Sequence, residues 1–486
     1  MATVMTDQQF RIEKDSIGEK QVPADAYYGV QALRGKENFP ISGITPPQAY
    51  PEAIRAFGWI KKAAAKANKT LGLLDPLDKA NNDAMGDAIM KACDEMIAGK
   101  YNEQFIVDVY QGGTGTSNHM NANEILANRA TELMGGKLGE YKVNPNDHPN
   151  CGQSTNDVTP TVIRLTLLTL HGELVKSLNM METGLRKKSE EFKDVLIPGR
   201  THMQDAVPLT LGQQFGAYAD AFHDARENVE HAVNRLHEIA LGGNALGTGI
   251  NTHPKYRDEV AKNLAEISGF PLRKARNYFQ LTSSFGHFAD YSSSLRSVAI
   301  ELEKLAHDLK LYSSGPKTGI GEIALPSKQP GSSIMPGKVN PIYPELMDQI
   351  SYIVQGNDMI VNLCCQNGQW QLNVMMPTIL LKMTESVRII TNSFKVFTTE
   401  CIDGLQANTD MTQHRLEHSN ILLTALNPHI GYSKAAEVAK VVLKEGITVR
   451  QAVLNLGLKD HHGEVLDDAK LDQILSVENM TAPPKE

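Results

Sequence analysis

The sequence predicts a mainly α-helical protein built around a bundle of long helices. Apolar residues recur three and four positions apart over several stretches, which is the spacing of one face of an α-helix. Polar segments rich in Gly, Pro, Ser, Thr and Asn separate these stretches and predict turns and loops. These segments are residues 111–123, 144–161, 199–210, 242–254 and 313–344.

The longest apolar stripe lies between Val162 and Phe192, a stretch without proline. It predicts a helix of about 30 residues, or roughly 45 Å at 1.5 Å per residue. Three further stripes run over residues 215–239, 295–312 and 345–365. Helices this long exceed the usual globular length, so we expect helices of several subunits to pack side by side. A monomeric helical bundle is the alternative.

The same features predict three domains. Residues 1–150 form a mixed N-terminal domain, residues 151–400 the long-helix domain, and residues 401–486 a small helical C-terminal domain. The last residues, 481–486, have the composition of a frayed tail.

Composition excludes several classes of function. Lys and Arg number 48 against 56 Asp and Glu, a formal charge of −8, which disfavours binding to nucleic acid or to acidic membranes. No apolar run approaches the ~18 residues of a membrane span, and the N-terminus lacks a signal-peptide pattern. The five cysteines show neither CxxC pairs nor zinc-finger spacing. We therefore expect a cytoplasmic protein without a disulfide framework.

Residues 331–341 (GSSIMPGKVNP) are the strongest candidate for a functional loop. The segment combines adjacent serines with glycines, prolines, Lys338 and Asn340. Glycine permits unusual backbone conformations, lysine supplies a compact positive charge, and asparagine a directional donor. A connection this long between helices is usually functional or disordered, so a flexible linker is the alternative.

Three other polar segments have related chemistry. Residues 114–117 and 154–157 are clusters of hydroxyl and amide groups, and residues 200–202 add a guanidinium and an imidazole. Together with Lys338 and Asn340, these groups are suited to binding two carboxylates and stabilising a doubly charged intermediate. Individually each has a simpler interpretation. A Ser-Thr-Asn-Asp segment before a helix is commonly an N-cap.

With these motifs, the chain resembles the aspartase/fumarase superfamily, in particular its aspartate ammonia-lyase and class II fumarase branch. The resemblance extends from residues 22–29 (VPADAYYG) to residues 427–431 (NPHIG), and residues 331–341 match the family signature. It implies a three-domain fold whose central helices form a twenty-helix core in a homotetramer. It also implies active sites shared by three subunits, a small dicarboxylate substrate, and no metal or organic cofactor.

The resemblance implies a role for each matching residue. Ser332 matches the serine that removes a proton beside the leaving group. Thr116, Ser154, Thr155 and Ser333 match residues that hold the resulting aci-carboxylate. Lys338, Asn340 and Thr201 match residues that hold the other carboxylate. His202 and Asn156 match residues near the leaving group, and Glu345 matches the acid that pairs with that histidine.

The leaving group divides the branch. Residues 107–113, 144–147 and 368–375, together with Thr155, resemble ammonia-lyases and predict conversion of L-aspartate to fumarate. Thr114, His119 and Met376 depart from the ammonia-lyase pattern. Fumarate hydration, a related substituted succinate and a non-catalytic structural protein on the same scaffold stay as alternatives.

Overall fold

The structure is a computed structural model in which residues 9–482 are described. Residues 1–8 lie outside the described residues, and so does the prediction that they carry no signal peptide. Most of the predicted tail, residues 481–486, also lies outside them. The described chain is mainly helical, which confirms the predicted fold class. Within residues 9–482, no helix combines the length and apolar character required to cross a membrane.

The helices span the whole described chain. Their bounds are α1 (Val30–Asn38), α2 (Pro46–Ala49), α3 (Pro51–Leu71), α4 (Lys79–Ile97), α5 (Thr116–Leu133), α6 (Thr155–Glu191), α7 (Leu211–Ala232), α8 (Tyr256–Ser268), α9 (Tyr278–Ser283), α10 (Gly286–Tyr312), α11 (Ile342–Gln366), α12 (Met376–Phe397), α13 (Thr409–Glu417), α14 (Leu423–Ile430), α15 (Tyr432–Glu445), α16 (Val449–Asn455), α17 (Asp468–Ile474) and α18 (Val477–Thr481).

Short strands pair two by two. Their bounds are β1 (Phe10–Asp15), β2 (Gly18–Pro23), β3 (Leu196–Thr201), β4 (Gln204–Thr210), β5 (Glu238–Ile239), β6 (Arg273–Lys274), β7 (Ile323–Ala324) and β8 (Gln406–Ala407). The β1–β2, β3–β4 and β7–β8 pairs are antiparallel, and β5–β6 is parallel.

The long helices follow the predicted apolar stripes, except at the start of the first stripe and at the end of the second. α6 has 37 residues and starts before the predicted stripe, so it contains Pro160. Proline has no backbone N–H, so α6 lacks the hydrogen bond that residue 160 would donate four residues back. The second stripe ends early, because Leu236 lies in a 3₁₀ turn and Ile239 in β5.

Three of the predicted loops contain regular structure. Residues 116–123 begin α5 and residues 155–161 begin α6, while residues 199–210 belong mainly to the β3–β4 hairpin. The start of α5 escaped prediction because its asparagines are buried, which hides the usual contrast between polar and apolar faces. Residues 144–154, 202–203 and most of residues 313–341 remain outside helices and strands.

The chain divides into two compact units. The first contains the chain up to Val175 together with Glu227–Ser297 and Ile353–Ile390, and the second contains Lys176–Arg226, Val298–Tyr352 and the chain from Thr391. In the second unit, α13–α17 have their own apolar core, which includes Leu426, Val438 and Leu471. The division into residues 1–150, 151–400 and 401–486 stays a prediction.

Two buried carboxylates hold the start of α1 in the first unit. Glu124, on α5, accepts hydrogen bonds from the backbone N–H groups of Gly29, Gln31 and Ala32 at 2.7–3.0 Å. Glu13 accepts from the Val30 N–H at 2.9 Å. A helix start has unpaired N–H groups and a partial positive charge, so buried carboxylates there replace water.

We expect Glu124→Gln to lower the free energy of unfolding by about 1–3 kcal/mol. The amide loses the charge and directs an N–H toward a backbone N–H donor. Urea unfolding at pH 8, followed by circular dichroism, measures the change. Glu132→Gln on the same helix is the control. The Glu132 side chain is 40% exposed and pairs with Arg129, and exposed ion pairs contribute about 1 kcal/mol or less. Equal losses in both variants would contradict the assigned role.

Candidate functional site

The loop of residues 331–341 folds back on itself. The Gly331 N–H donates to the Lys338 carbonyl at 2.8 Å, and the Asn340 side-chain amide donates to the Gly331 carbonyl at 2.8 Å. Gly331 has no room for a side chain, because a Cβ there would lie 2.7 Å from the Lys338 carbonyl oxygen. The two ends of the loop are therefore held together.

Ser332 lies at the start of this loop with its hydroxyl facing backbone donors. Its Oγ accepts hydrogen bonds from the N–H groups of Ile334 at 3.2 Å and Met335 at 3.1 Å. This is the local geometry that serine often adopts in turns. Chemically, two N–H dipoles aimed at Oγ stabilise negative charge on that oxygen.

The polar side chains that follow Ser332 are open to solvent. Ser333 and Lys338 are exposed, and Asn340 is partly buried. Within residues 9–482, no described hydrogen bond or ion pair involves the Lys338 ammonium. The loop therefore offers one uncompensated positive charge within six residues of Ser332.

Thr201 is the last residue of β3, and His202 lies in the turn of the β3–β4 hairpin. Both are exposed, and His202 has a positive φ of 55°, as does the following Met203 at 62°. Left-handed conformations are uncommon for residues other than glycine and cluster at functional turns. The hairpin therefore presents the imidazole at its tip.

The sequence predicted that the Arg200 guanidinium would help to bind a substrate carboxylate. In the structure it is paired with a carboxylate of the protein instead. Its two Nη atoms donate to the buried carboxylate of Glu322 at 2.5 and 3.0 Å. The bidentate pair anchors the end of β3 next to the hairpin turn. Arg200 consequently supports Thr201 and His202 through the backbone.

Glu345 lies in the first turn of α11 and is exposed. Among the described residues, no hydrogen bond or ion pair joins Glu345 to His202. Their pairing, implied by the resemblance, stays a prediction.

The remaining predicted residues lie in the first unit, at the starts of α5 and α6. Thr116 is the first residue of α5, and its hydroxyl donates to the Gly113 carbonyl at 2.7 Å. Ser154 precedes α6, and its hydroxyl accepts the Asn156 N–H at 3.3 Å. Ser154 thus has the helix-capping contact that its sequence context predicts. Asn156 donates its amide to the Ala245 carbonyl at 2.7 Å.

Asp157 is a buried residue that sequence reasoning treated only as part of a cluster. Its Oδ1 accepts the Ser154 N–H at 2.9 Å, and its Oδ2 accepts the N–H groups of Gly242 and Asn244 at 3.0 and 2.8 Å. Burial raises the pKa of Asp157 to about 7, and the three N–H donors oppose this shift. The carboxylate ties the glycine-rich loop after β5 to the start of α6.

A second buried group, missed by the sequence analysis, adjoins Thr155. Lys61, on α3, lies 2.6 Å from His119 Nε2, and His119 Nδ1 lies 2.8 Å from Thr155 Oγ1. Burial lowers the pKa of both Lys61 and His119. A lysine in an alanine-rich helical stripe gives no signal of this contact in the sequence.

The predicted residues thus form two groups. The second unit contains Ser332, Ser333, Lys338, Asn340, Thr201, His202 and Glu345, and the first contains Thr116, Ser154, Thr155 and Asn156. Both groups are rich in hydroxyl and amide donors. Within the described chain, no cluster of three or more His, Cys, Asp or Glu side chains has an arrangement that could hold a metal ion.

Comparisons with known proteins show similarity to lyases over nearly the whole chain. Residues 18–356 match the family described as lyase, and residues 422–482 match the fumarase C C-terminus. The chain is 45% identical to an aspartate ammonia-lyase of Bacillus sp., covering 97% of this chain and 98% of that protein. It is 46% identical to an aspartate ammonia-lyase of Pseudomonas canavaninivorans, covering 98% and 97% respectively.

The chain is also similar to a fumarate hydratase and to two solved structures. A mitochondrial fumarate hydratase of Danio rerio is 42% identical, over 93% of this chain and 87% of that protein. The crystal structure of a fumarate lyase:delta crystallin from Brucella melitensis, bound to cobalt, has a TM-score of 0.91 at 42% identity and covers 98% of this chain and 100% of that one. The class II fumarase of Schistosoma mansoni has a TM-score of 0.87 at 32% identity, covering 97% and 98%. The chain therefore belongs to the lyase family that forms the aspartase/fumarase superfamily.

Proposed function

We propose that this protein is a homotetrameric carbon–nitrogen lyase that reversibly eliminates ammonia from L-aspartate to give fumarate, with Ser332 as the base. The observation that carries the proposal is the pair of backbone N–H groups directed at Ser332 Oγ. The similarity to several aspartate ammonia-lyases, at 43–46% identity over nearly the whole chain, supports the substrate and the reaction.

The first step is removal of a proton from the carbon next to the one that bears the amine. A serine hydroxyl is a poor base, so the alkoxide must be stabilised before it reacts. The N–H groups of Ile334 and Met335 supply fixed dipoles for that negative charge. Ser332 gains the proton, and the electron pair moves into the adjacent carboxylate to give an aci-carboxylate dianion.

Hydroxyl donors are suited to hold this dianion. Thr116, Ser154, Thr155 and Ser333 fill this role in the proposal, and Lys338, Asn340 and Thr201 bind the other carboxylate. The Lys338 ammonium is exposed and has no partner among the described residues, which supports its role, because a cation six residues after Ser332 attracts an anionic substrate.

In the second step the carbon–nitrogen bond breaks. The dianion returns its electron pair to form the double bond of fumarate, and the bonding pair leaves with ammonia. His202 and Asn156 lie near the leaving amine in the proposal, and Glu345 pairs with His202 and sets its protonation state.

An assembly of four chains would supply residues from several subunits to each site. Exposed apolar side chains on α11 support this part of the proposal. Tyr352, Met359 and Leu363 are 50–67% exposed and recur at seven- and four-residue intervals along one face of that helix. Large apolar side chains exposed on one helix face are typical of interaction sites. A cytoplasmic location stays a prediction from the cysteine usage.

Hydration of fumarate is the second candidate function. The 42% identity to a fumarate hydratase favours it, as does the additional hydroxyl of buried Thr114. A hydroxyl near the leaving group would bind water or malate as readily as an amine.

We expect the purified protein to form fumarate from L-aspartate and to release an equal amount of ammonia. Ultraviolet absorbance measures fumarate, and a coupled assay measures ammonia. L-Malate under the same conditions is the matched comparison. Fumarate from malate alone would replace the ammonia-lyase proposal with the hydratase, and fumarate from neither would remove both.

Ser332→Ala should reduce kcat by at least about 10³-fold, because no other group takes the proton. The same ultraviolet assay, with light scattering to verify the assembly, measures the effect. Ser327→Ala in the same connection is the control and should retain full activity. A Ser332→Ala variant with near-normal kcat would refute the assignment of the base.

Met359→Glu should reduce both the mass in light scattering and the activity. The substitution places a charge in the proposed contact between subunits, where an unpaired charge is costly to bury. Leu77→Glu is the control, since Leu77 is 99% exposed in the connection between α3 and α4. An intact tetramer in the Met359→Glu variant would show that this face does not lie in the assembly contact.

A further inference from the structure

Lys61 lies in the interior of the first unit with no exposed surface. Its Nζ has three polar neighbours: His119 Nε2 at 2.6 Å, Gln153 Oε1 at 2.9 Å and Asn150 Oδ1 at 3.3 Å. An ammonium group has three hydrogens and no lone pair. The three neighbours therefore account for every hydrogen of a charged Lys61.

Contacts independent of Lys61 orient one of these neighbours. The Gln153 amide Nε2 donates to the carbonyls of Pro149 and Cys151 at 2.9 and 3.2 Å, so its Oε1 must face Lys61 as an acceptor. Burial lowers the pKa of Lys61 to about 7, and the nearby carboxylate of Asp157 opposes that shift. The acceptor oxygen and the nearby negative charge both favour the ammonium form.

Lys61 in turn fixes the tautomer of His119. A ring nitrogen that accepts a hydrogen from Lys61 carries none of its own, and burial beside a positive charge keeps the ring neutral by lowering its pKa. The single ring hydrogen is then on Nδ1, which donates to Thr155 Oγ1 at 2.8 Å. Phe57, one turn before Lys61 on α3, stacks on the His119 ring at 6.2 Å and 10°.

This tautomer leaves the Thr155 hydroxyl hydrogen available. Thr155 is partly exposed, and within residues 9–482 no acceptor for its O–H other than His119 Nδ1 is described. In the opposite tautomer, Nδ1 would accept the hydroxyl hydrogen, and Thr155 would present only lone pairs. The direction of the Lys61–His119–Thr155 chain therefore decides whether Thr155 donates or accepts.

We propose that Lys61 is a positioning residue: through His119, it fixes Thr155 as a hydrogen-bond donor to a carboxylate of the substrate. The inference rests on the proposed function, in which Thr155 holds the aci-carboxylate. It also assigns a role to His119, a position at which this chain departs from the ammonia-lyase pattern.

Binding of succinate, a four-carbon dicarboxylate with no leaving group, tests the inference without requiring turnover. Calorimetry on the full-length protein compares Lys61→Met, Thr155→Val and the double variant with the unsubstituted chain. Each single variant should weaken binding about tenfold, equivalent to ~1.4 kcal/mol. The double variant should bind no more weakly than Thr155→Val, because Lys61 acts only through that hydroxyl. Lys62→Met, on the same helix with a surface partner in Asp94, should bind succinate normally.

Three results would overturn the inference. They are normal succinate binding by Thr155→Val, normal binding by Lys61→Met, or a loss of affinity in the double variant equal to the product of the two single losses. His119→Phe, which keeps the ring stacked on Phe57, replaces Lys61→Met in the cycle if that variant does not fold. Failure of the proposed function is distinguishable, because it would abolish fumarate formation while leaving the pattern of succinate binding as expected.

Discussion

A charged group buried away from water needs hydrogen-bond partners in the protein. In the first unit, the arrangement around the start of α6 depends on the hydrogen bonds accepted by buried Asp157. Its carboxylate accepts three backbone N–H groups, one from the residue before α6 and two from the glycine-rich loop after β5. A partly satisfied carboxylate in this position would be costly. The start of α6 and that loop are therefore held in one arrangement, and Ser154, Thr155 and Asn156 are positioned by it.

Residues with a proposed chemical role also have a structural one. Ser154 caps a helix and Ser332 closes a turn. The Ser154 hydroxyl accepts one backbone N–H group, and the Ser332 hydroxyl accepts two. Backbone N–H groups are well suited to this purpose, because their direction is fixed by the chain and costs little reorganisation during a reaction. The Arg200–Glu322 pair acts in a related way by anchoring the hairpin that carries His202.

The chain is similar both to aspartate ammonia-lyases and to a fumarate hydratase. Thr114 and His119 are two positions at which the sequence departs from the ammonia-lyase pattern. Thr114 has a positive φ of 68°, which is uncommon for a β-branched residue, and it is buried beside the start of α5. His119 connects the interior to Thr155. The fold itself is shared with a 42% identical relative, at a TM-score of 0.91.

The sequence by itself determined the helical class, the long helices and the family, because helical periodicity and a contiguous signature are local properties. It also identified residues 331–341 and the hydroxyl-rich segments. Only the tertiary structure decided that the Arg200 guanidinium pairs with Glu322 and that the Asp157 carboxylate accepts a hydrogen bond from Gly242, 85 residues away. The contact of Lys61 with His119, 58 residues apart, was likewise decided by the packing of α3 against its neighbours. Long-range partners of buried charges leave no periodic trace, since they depend on which elements pack together.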